Sequence, residues 1–155
     1  MLETLAEEVL QRIEQVRLQY HRLVILAAPT GKGKTRILQI VQQKTQAPLI
    51  NINLALSRLM LDLTEKQRAL KIALLLGEAV DYKESELVLL DNTEMLFAKA
   101  FRTDPLRLLQ TLARSKTVVA SWNGEIKDDW LYYATPEHPE YRRYPIKELC
   151  LVGVV

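Results

Sequence analysis

Residues 28–35 read Ala-Pro-Thr-Gly-Lys-Gly-Lys-Thr, and they give the clearest indication of the fold. An apolar run, 23–27, precedes it, and a run of helical composition, 36–43, follows it. A strand, a loop of small residues and a Gly-Lys-Thr that opens a helix are the arrangement of a phosphate-binding P-loop. The pattern usually begins with Gly, so Ala28 is a mild departure. We therefore predict a site for nucleotide phosphates at the carboxyl end of the first strand.

The residue types of this loop indicate its chemistry. Backbone N–H groups and the positive end of the following helix converge on one anion. Gly31 and Gly33 let the backbone approach closely. Lys34 is expected to reach the outer phosphates, and the Thr35 hydroxyl is expected to ligate Mg²⁺. The predicted nucleotide-binding residues are Pro29, Thr30, Gly31, Lys32, Gly33, Lys34, Thr35 and Arg36. Of that set, the basic side chains of Lys32 and Arg36 either add positive potential to the site or face water.

The composition is that of an ordinary soluble protein long enough for a core, with 155 residues, 48% of them hydrophobic and 26% charged. The net charge of +2 leaves DNA contact open, because a nucleic-acid surface needs clustered charge. Cys150 is the only cysteine, which excludes an intrachain disulfide framework and a cysteine-based zinc site. No apolar run approaches the roughly 18 residues of a membrane span. The first residues are acidic, unlike a signal peptide, so we expect a cytoplasmic protein with no membrane contact.

Apolar periodicity and turn signals predict helices that alternate with strands. The predicted helices are 2–20, 36–43, 54–80 with a break near Leu63 and a new start at Glu65, 93–101 and 105–114. The predicted strands are 22–28, 49–53, 86–91, 117–121, one short strand within 130–134 or 142–146, and 149–155. This alternation is typical of a mostly parallel sheet covered on both faces. The amphipathic helix 2–20 covers one face of the sheet or binds a partner.

A second signal is the apolar strand that ends in Asp91. Its carboxylate would lie beside the P-loop and hold Mg²⁺ directly or through water, so Thr35 and Asp91 are the predicted metal ligands. Glu94 would orient or activate the attacking water, because hydrolysis needs the nucleophile in line. The alternative for Glu94 is a favourable acid in the first turn of a helix. Asn92 is a lesser candidate for positioning the water.

A third signal is the run 117–123, Thr-Val-Val-Ala-Ser-Trp-Asn. A buried strand that ends in small polar groups resembles the sensor strand of additional-strand P-loop ATPases. In that class a polar side chain reaches between the γ-phosphate and the catalytic acid, and Ser121 and Asn123 are the candidates. The alternative is a strand followed by an ordinary Asn-Gly turn. The predicted catalytic residues are Lys34, Asp91, Glu94 and Asn123.

Other charged residues do not form a recognisable pattern. An arginine that reaches the nucleotide of a neighbouring subunit could be any of Arg102, Arg107, Arg114, Arg142 and Arg143. His21 and His138 are isolated and lack metal-ligand spacing.

Five segments together resemble a known family: Ala-Pro-Thr-Gly-Lys-Gly-Lys-Thr, Leu-Leu-Asp-Asn-Thr-Glu-Met-Leu-Phe, Asp-Pro-Leu-Arg-Leu-Leu-Gln, Thr-Val-Val-Ala-Ser-Trp-Asn-Gly and Pro-Glu-His-Pro-Glu-Tyr-Arg-Arg-Tyr. They resemble the corresponding segments of the BrxF family, the small P-loop proteins of the third type of BREX phage-defence system. The resemblance covers roughly residues 20–146, and its later segments are more specific than the P-loop. It implies a bacterial cytoplasmic protein with an AAA-like nucleotide-binding core, encoded among DNA-modifying and DNA-translocating partners.

The predicted fold is therefore an α/β, three-layer P-loop NTPase of AAA-like type with a mostly parallel sheet of about five strands. We expect a single domain over 1–155 and no C-terminal helical lid domain, because the residues after the sensor-like strand leave no room for one. The nucleotide would then be covered by a neighbouring subunit, by a partner, or by nothing. A homo-oligomer in which neighbouring copies share active sites is therefore one of the possible assemblies.

The leading functional hypothesis is an ATP- and Mg²⁺-dependent ATPase that acts as a switch or assembly factor in a BREX defence complex. A first alternative is a nucleotide-binding scaffold for partner proteins that does not hydrolyse ATP. A second is a small-molecule kinase, although such enzymes usually carry an arginine-rich lid and the segment 136–146 has two arginines. Adenine is favoured over guanine by the class resemblance and by the lack of an Asn-Lys-x-Asp motif.

Overall fold

Five parallel strands form the central sheet of the protein. A computed structural model describes residues 1–81 and 85–154. The strands of this sheet are β1 (Leu23–Ala28), β2 (Leu49–Asn51), β3 (Leu87–Asp91), β4 (Thr117–Asn123) and β8 (Cys150–Gly153). Their order across the sheet is β2-β3-β4-β1-β8, so β4 lies between the strand before the P-loop and the strand that ends in Asp91.

Helices cover both faces of this sheet. They are α1 (Leu2–Val16), α2 (Lys34–Thr45), α3 (Ile52–Leu59), α4 (Glu65–Ala79) and α5 (Pro105–Leu112). Alternate residues of β1 point to opposite faces. Val24 and Leu26 join the core formed with α1 and α2, whereas Leu23, Ile25 and Ala27 join the core formed with α3, α4 and α5. The predicted three-layer α/β fold is confirmed, and helix 2–20 has the covering role predicted for it.

A small antiparallel sheet follows β4. It consists of β5 (Ile126–Lys127), β6 (Trp130–Tyr133) and β7 (Arg142–Pro145) in that order. We predicted one short strand in this region, and both candidate segments form strands because they pair with each other. After β4 the described residues contain this sheet and β8 and no helical lid, as expected. None of the helices in the described part of the chain could cross a membrane.

Several predicted elements have different ends in the structure, as three examples show. The helix predicted over 2–20 ends at Val16, and Leu18 is fully exposed, because the chain reverses there to enter β1. The strand predicted over 49–53 ends at Asn51, whose side chain accepts a hydrogen bond from the Leu54 N–H and starts α3. The strand predicted over 149–155 ends at Gly153, and Val155 lies outside the described residues.

The helix predicted over 93–101 is wrong in type. Two short 3₁₀ turns, Glu94–Phe97 and Lys99–Phe101, replace it, with Ala98 in an extended conformation between them. The Met95 N–H donates to the Asn53 side chain at 3.0 Å, and the Phe97 ring stacks on Tyr133 with centroids 3.5 Å apart. These tertiary contacts outweigh the local helical preference of the segment.

Two helix starts follow the sequence signals closely. Thr64 and Gln67 form a reciprocal capping box before α4. Asp104 accepts hydrogen bonds from the Leu106 and Arg107 N–H groups, and Pro105 occupies the first position of α5.

Candidate nucleotide-binding site

The loop between β1 and α2 has the backbone that a P-loop requires. Gly31 has φ of +85° and Gly33 has φ of +95°, conformations that residues with a Cβ rarely adopt. At Gly33 a Cβ would also lie 3.1 Å from the Leu2 side chain of α1. Both glycines of the sequence pattern are therefore needed by the conformation of the loop itself.

Lys34 opens α2 and folds back over this loop. Its Nζ donates to the Ala28 carbonyl at 2.7 Å and to the Pro29 carbonyl at 3.1 Å. Burial lowers the pKa of Lys34, and the nearby carboxylates of Asp91 and Glu94 oppose that shift. The ammonium group closes the loop in this structure, and phosphate oxygens would compete with the two carbonyls for its N–H groups.

Thr35 and Asp91 meet at the edge of the sheet. The Thr35 hydroxyl donates to Asp91 Oδ2 at 2.6 Å, and Asp91 Oδ1 accepts from the Asn92 N–H at 2.9 Å. Asp91 is 8% exposed, so its carboxylate is fixed between the P-loop helix and the end of β3. Two hard oxygen donors held together in a phosphate site are a set that suits Mg²⁺, which takes a few protein oxygens and completes its shell with phosphate and water. The residues present therefore fit the predicted metal.

Glu94 lies at the start of the first 3₁₀ turn, and two amides hold its carboxylate. Asn123 Nδ2 donates to Oε1 at 2.6 Å, and Asn53 Nδ2 donates to Oε2 at 3.1 Å. Asn123 ends β4, whereas Asn53 lies in the first turn of α3 just after β2, so these donors come from two different elements of the fold. This arrangement fixes the orientation of one carboxylate beside Lys34 and Asp91.

The structure distinguishes between the two candidates on β4. Asn123 lines the cleft and contacts Glu94, whereas Ser121 is buried and does not line the cleft. The Ser121 carbonyl accepts from the Thr93 hydroxyl at 2.7 Å, which ties the chain after β3 to β4. Trp122, which lies between Ser121 and Asn123 in the sequence, is fully buried, and its Nε1 donates to the Tyr132 carbonyl at 3.0 Å.

Sequence reasoning missed Gln39, which lines the cleft, and Asn53, which supports Glu94. Asn53 has the clearer role. Its Nδ2 donates to Glu94 and its Oδ1 accepts from the Met95 N–H at 3.0 Å, so one side chain fixes both the carboxylate and the backbone after it. The available signal was a polar residue at the carboxyl end of the predicted second strand, 49–53. Carboxyl ends of parallel strands meet at one edge of a sheet, and that edge already held Asp91 and the P-loop.

The P-loop and the carboxyl ends of β3 and β4 surround a cleft of about 410 Å³. The lining residues from the predicted loop are Thr30, Gly31, Gly33, Lys34, Thr35 and Arg36, and the others are Gln39, Asp91, Asn92, Glu94 and Asn123. Asn92, the lesser candidate for positioning the water, therefore lies at the cleft. Pro29 instead lines a neighbouring cavity, and Lys32 is exposed and lines neither. Among the described residues none of the five candidate arginines lines the cleft. His138 accepts a hydrogen bond from the Glu140 N–H, and the His21 ring packs against Tyr20.

Comparison with known proteins adds little to this picture. A solved structure of PCH-2 from C. elegans is similar, with 16% sequence identity and a TM-score of 0.47. The similarity covers 99% of this chain and 41% of that chain, so this chain spans less than half the length of PCH-2. No family model matches the sequence, and no curated protein matches it. The description of the site as a P-loop rests on the chain's own strand order and loop geometry.

Proposed function

We propose that this protein binds ATP with Mg²⁺ in the cleft between the P-loop and β3, and hydrolyses it. One observation carries the proposal: the Glu94 carboxylate is held by two amides in the same cleft as Lys34 and the Thr35–Asp91 pair. A phosphate-binding loop alone supports binding. A fixed carboxylate beside it supports the activation of water.

Each group has a distinct role in this proposal. The backbone N–H groups after Gly31 and the Lys34 ammonium bind the phosphates. Thr35 and Asp91 hold the metal ion, which neutralises charge on the phosphate oxygens when bound. Glu94 orients a water molecule and accepts its proton, and Asn53 and Asn123 keep the carboxylate in one orientation for that task.

The biological role in the proposal is a switch or assembly factor in a bacterial, cytoplasmic BREX defence complex. It is supported by the resemblance of the segments 28–35, 89–97, 104–110, 117–124 and 136–144 to the BrxF family. ATP binding would order the P-loop side of the sheet and hydrolysis would release it. The partners are then other BREX proteins, and a second copy of this chain is a candidate to close over the cleft.

The test measures ATP binding and phosphate release separately, for the wild type and two variants. We expect Lys34→Ala to lose both. We expect Glu94→Gln to retain binding and to lose turnover by about 100-fold or more, because it keeps the shape of the side chain without the base. Glu137→Gln, an exposed acid outside the cleft, is the matched control and should leave both unchanged.

Two results would overturn this proposal. ATP binding without phosphate release, even with DNA and partner proteins present, would indicate a non-hydrolysing scaffold. Transfer of phosphate to a small metabolite would indicate a kinase.

A further inference from the structure

A second cavity adjoins the phosphate cleft. Its volume is about 510 Å³, which is within the size range of small-molecule sites. Thr30, Glu94 and Asn123 line both spaces, so the cavity continues directly from the cleft. Its far wall comes from β6 and the loop after it, including Tyr133 and Glu140. The proposed hydrolysis of ATP gives this far wall no role.

Tyr133 carries an unpaired polar group on the wall of this cavity. The residue is 4% exposed, and its ring is fixed by stacking on Phe97 and by an edge contact with Trp122. Its hydroxyl has no hydrogen-bond partner among the described residues, whereas the hydroxyl of Tyr144 nearby donates to Asp104 at 2.8 Å. Burial, with the negative charges of Glu94 and Glu140, raises the pKa of Tyr133, so its hydroxyl stays a hydrogen-bond donor. The hydroxyl opens onto the cavity, so a ligand with an acceptor that binds there can take this hydrogen bond in place of water.

The acidic lining of the cavity favours a positively charged ligand. Glu94, Glu125 and Glu140 line it, and the described lining residues include no lysine or arginine. Within the part of the chain that the structure describes, no three acidic, histidine or cysteine side chains are close enough together to hold a metal ion. The negative charge is therefore spread around a space that also has apolar walls, at Pro29 and Ala134. Such a space suits an extended organic cation better than a metal ion.

We propose that this cavity binds a small organic cation, an alkylammonium or guanidinium compound that also presents a hydrogen-bond acceptor to the Tyr133 hydroxyl. Glu94, Glu125 and Glu140 bind its positive groups, and Pro29 and Ala134 contact its apolar part. The site does not depend on ATP turnover. It places the ligand against Glu94, the residue that also faces the phosphate cleft.

The test is calorimetric titration of nucleotide-free protein with putrescine and agmatine. The matched neutral probe is 1,4-butanediol, and the matched anionic probe is succinate. We expect saturable binding of the two cations and at least about tenfold weaker binding of the diol, which loses two charge-assisted contacts. The Lys34→Ala variant should still bind the cations saturably, with affinity at least that of the wild type, because it loses a positive charge beside Glu94. Cation binding without ATP binding in this variant keeps the result separate from the test of ATP hydrolysis.

Variants locate the binding to this cavity. Glu125→Gln and Glu140→Gln should each weaken putrescine binding about fivefold, the effect of one exposed charge pair. Tyr133→Phe keeps the stacked ring and should weaken agmatine binding by about the same factor, the value of one hydrogen bond. Glu137→Gln lies in the same loop as Glu140, does not line the cavity, and should leave binding unchanged.

Three outcomes would overturn the proposal. The first is no saturable cation binding by folded protein. The second is an equal loss of affinity in Glu137→Gln and Glu140→Gln, which would indicate nonspecific attraction. The third is putrescine affinity that falls as protein concentration rises, because a lysine or arginine of a second copy would then be the natural occupant.

Discussion

The Glu94 carboxylate shows how closely single side chains are coupled in this site. Asn53 and Asn123 donate to its two oxygens, and Asn53 also accepts from the Met95 N–H. If this double contact orients the carboxylate for catalysis, Asn53→Ala should lower kcat for ATP by about tenfold with little change in KM. That factor corresponds to one hydrogen bond to a charged group. Steady-state phosphate release measures it.

Asn51 provides the control for that prediction. It lies two residues away and caps α3 through its side chain, with no contact to Glu94. Asn51→Ala should cost about 1 kcal/mol of stability, as the loss of a helix cap does, and leave kcat unchanged. Equal losses of kcat in the two variants would contradict a specific role for Asn53.

Lys34 predicts how stability depends on pH. Burial lowers its pKa in the folded protein below the ordinary value of 10.5. Between the lowered value and 10.5 the unfolded chain binds more protons, so this group makes the free energy of unfolding rise with pH. Lys34→Met removes the effect. We expect the stability of the wild type relative to Lys34→Met to increase from pH 7 toward pH 10, measured by urea unfolding of nucleotide-free protein. A difference that shrinks over this range would contradict the prediction.

Among the elements, those set by local signals could be predicted from sequence and those set by distant contacts could not. The apolar strand before the P-loop and the capping box of α4 are local patterns, and both are confirmed. The segment 93–101 has helical composition, but its conformation depends on Asn53 and Tyr133, which are distant in sequence. The same distance explains why Asn53 was missed: its contact with Glu94 becomes visible only when β2 and β3 are known to be neighbours.

Substituting Ala at two glycines should have opposite effects on stability. Gly124 lies in the tight connection between β4 and the small sheet, whereas Gly77 lies inside α4. At Gly124 a Cβ would lie 1.7 Å from the Tyr132 carbonyl oxygen, so Gly124→Ala must push the β5–β6 hairpin away from Asn123. We expect a loss of more than about 2 kcal/mol, by the same reasoning that applies to overpacked sites. At Gly77, inside α4, a Cβ meets nothing within 4 Å, so Gly77→Ala should stabilise by about 0.5–1 kcal/mol. Chemical denaturation of the two variants checks both signs.

At the scale of the whole molecule, β1 connects the two cores to the phosphate site. All six of its residues are buried, and the P-loop begins where the strand ends. The first residues of α1 also reach this loop, since the Leu2 side chain lies against Gly33. A ligand bound to the loop therefore contacts a structure to which both layers of helices are attached.

This connectivity predicts one cooperative unfolding transition that ATP shifts as a unit, which also tests the expected single domain. With the Glu94→Gln variant, which should keep ATP intact, Mg²⁺–ATP at 100 times its Kd should stabilise by about 2.7 kcal/mol. The melting temperature should rise by about 5–10 °C. Helical circular dichroism and tryptophan fluorescence, to which the buried Trp122 contributes along with Trp130, should report the same shift. Chelating the metal should reduce the shift, because Thr35 and Asp91 would lose the ion they are proposed to bind, and adding Lys34→Ala should abolish it. Two separate transitions, of which only one responds to ATP, would show that the layers unfold independently.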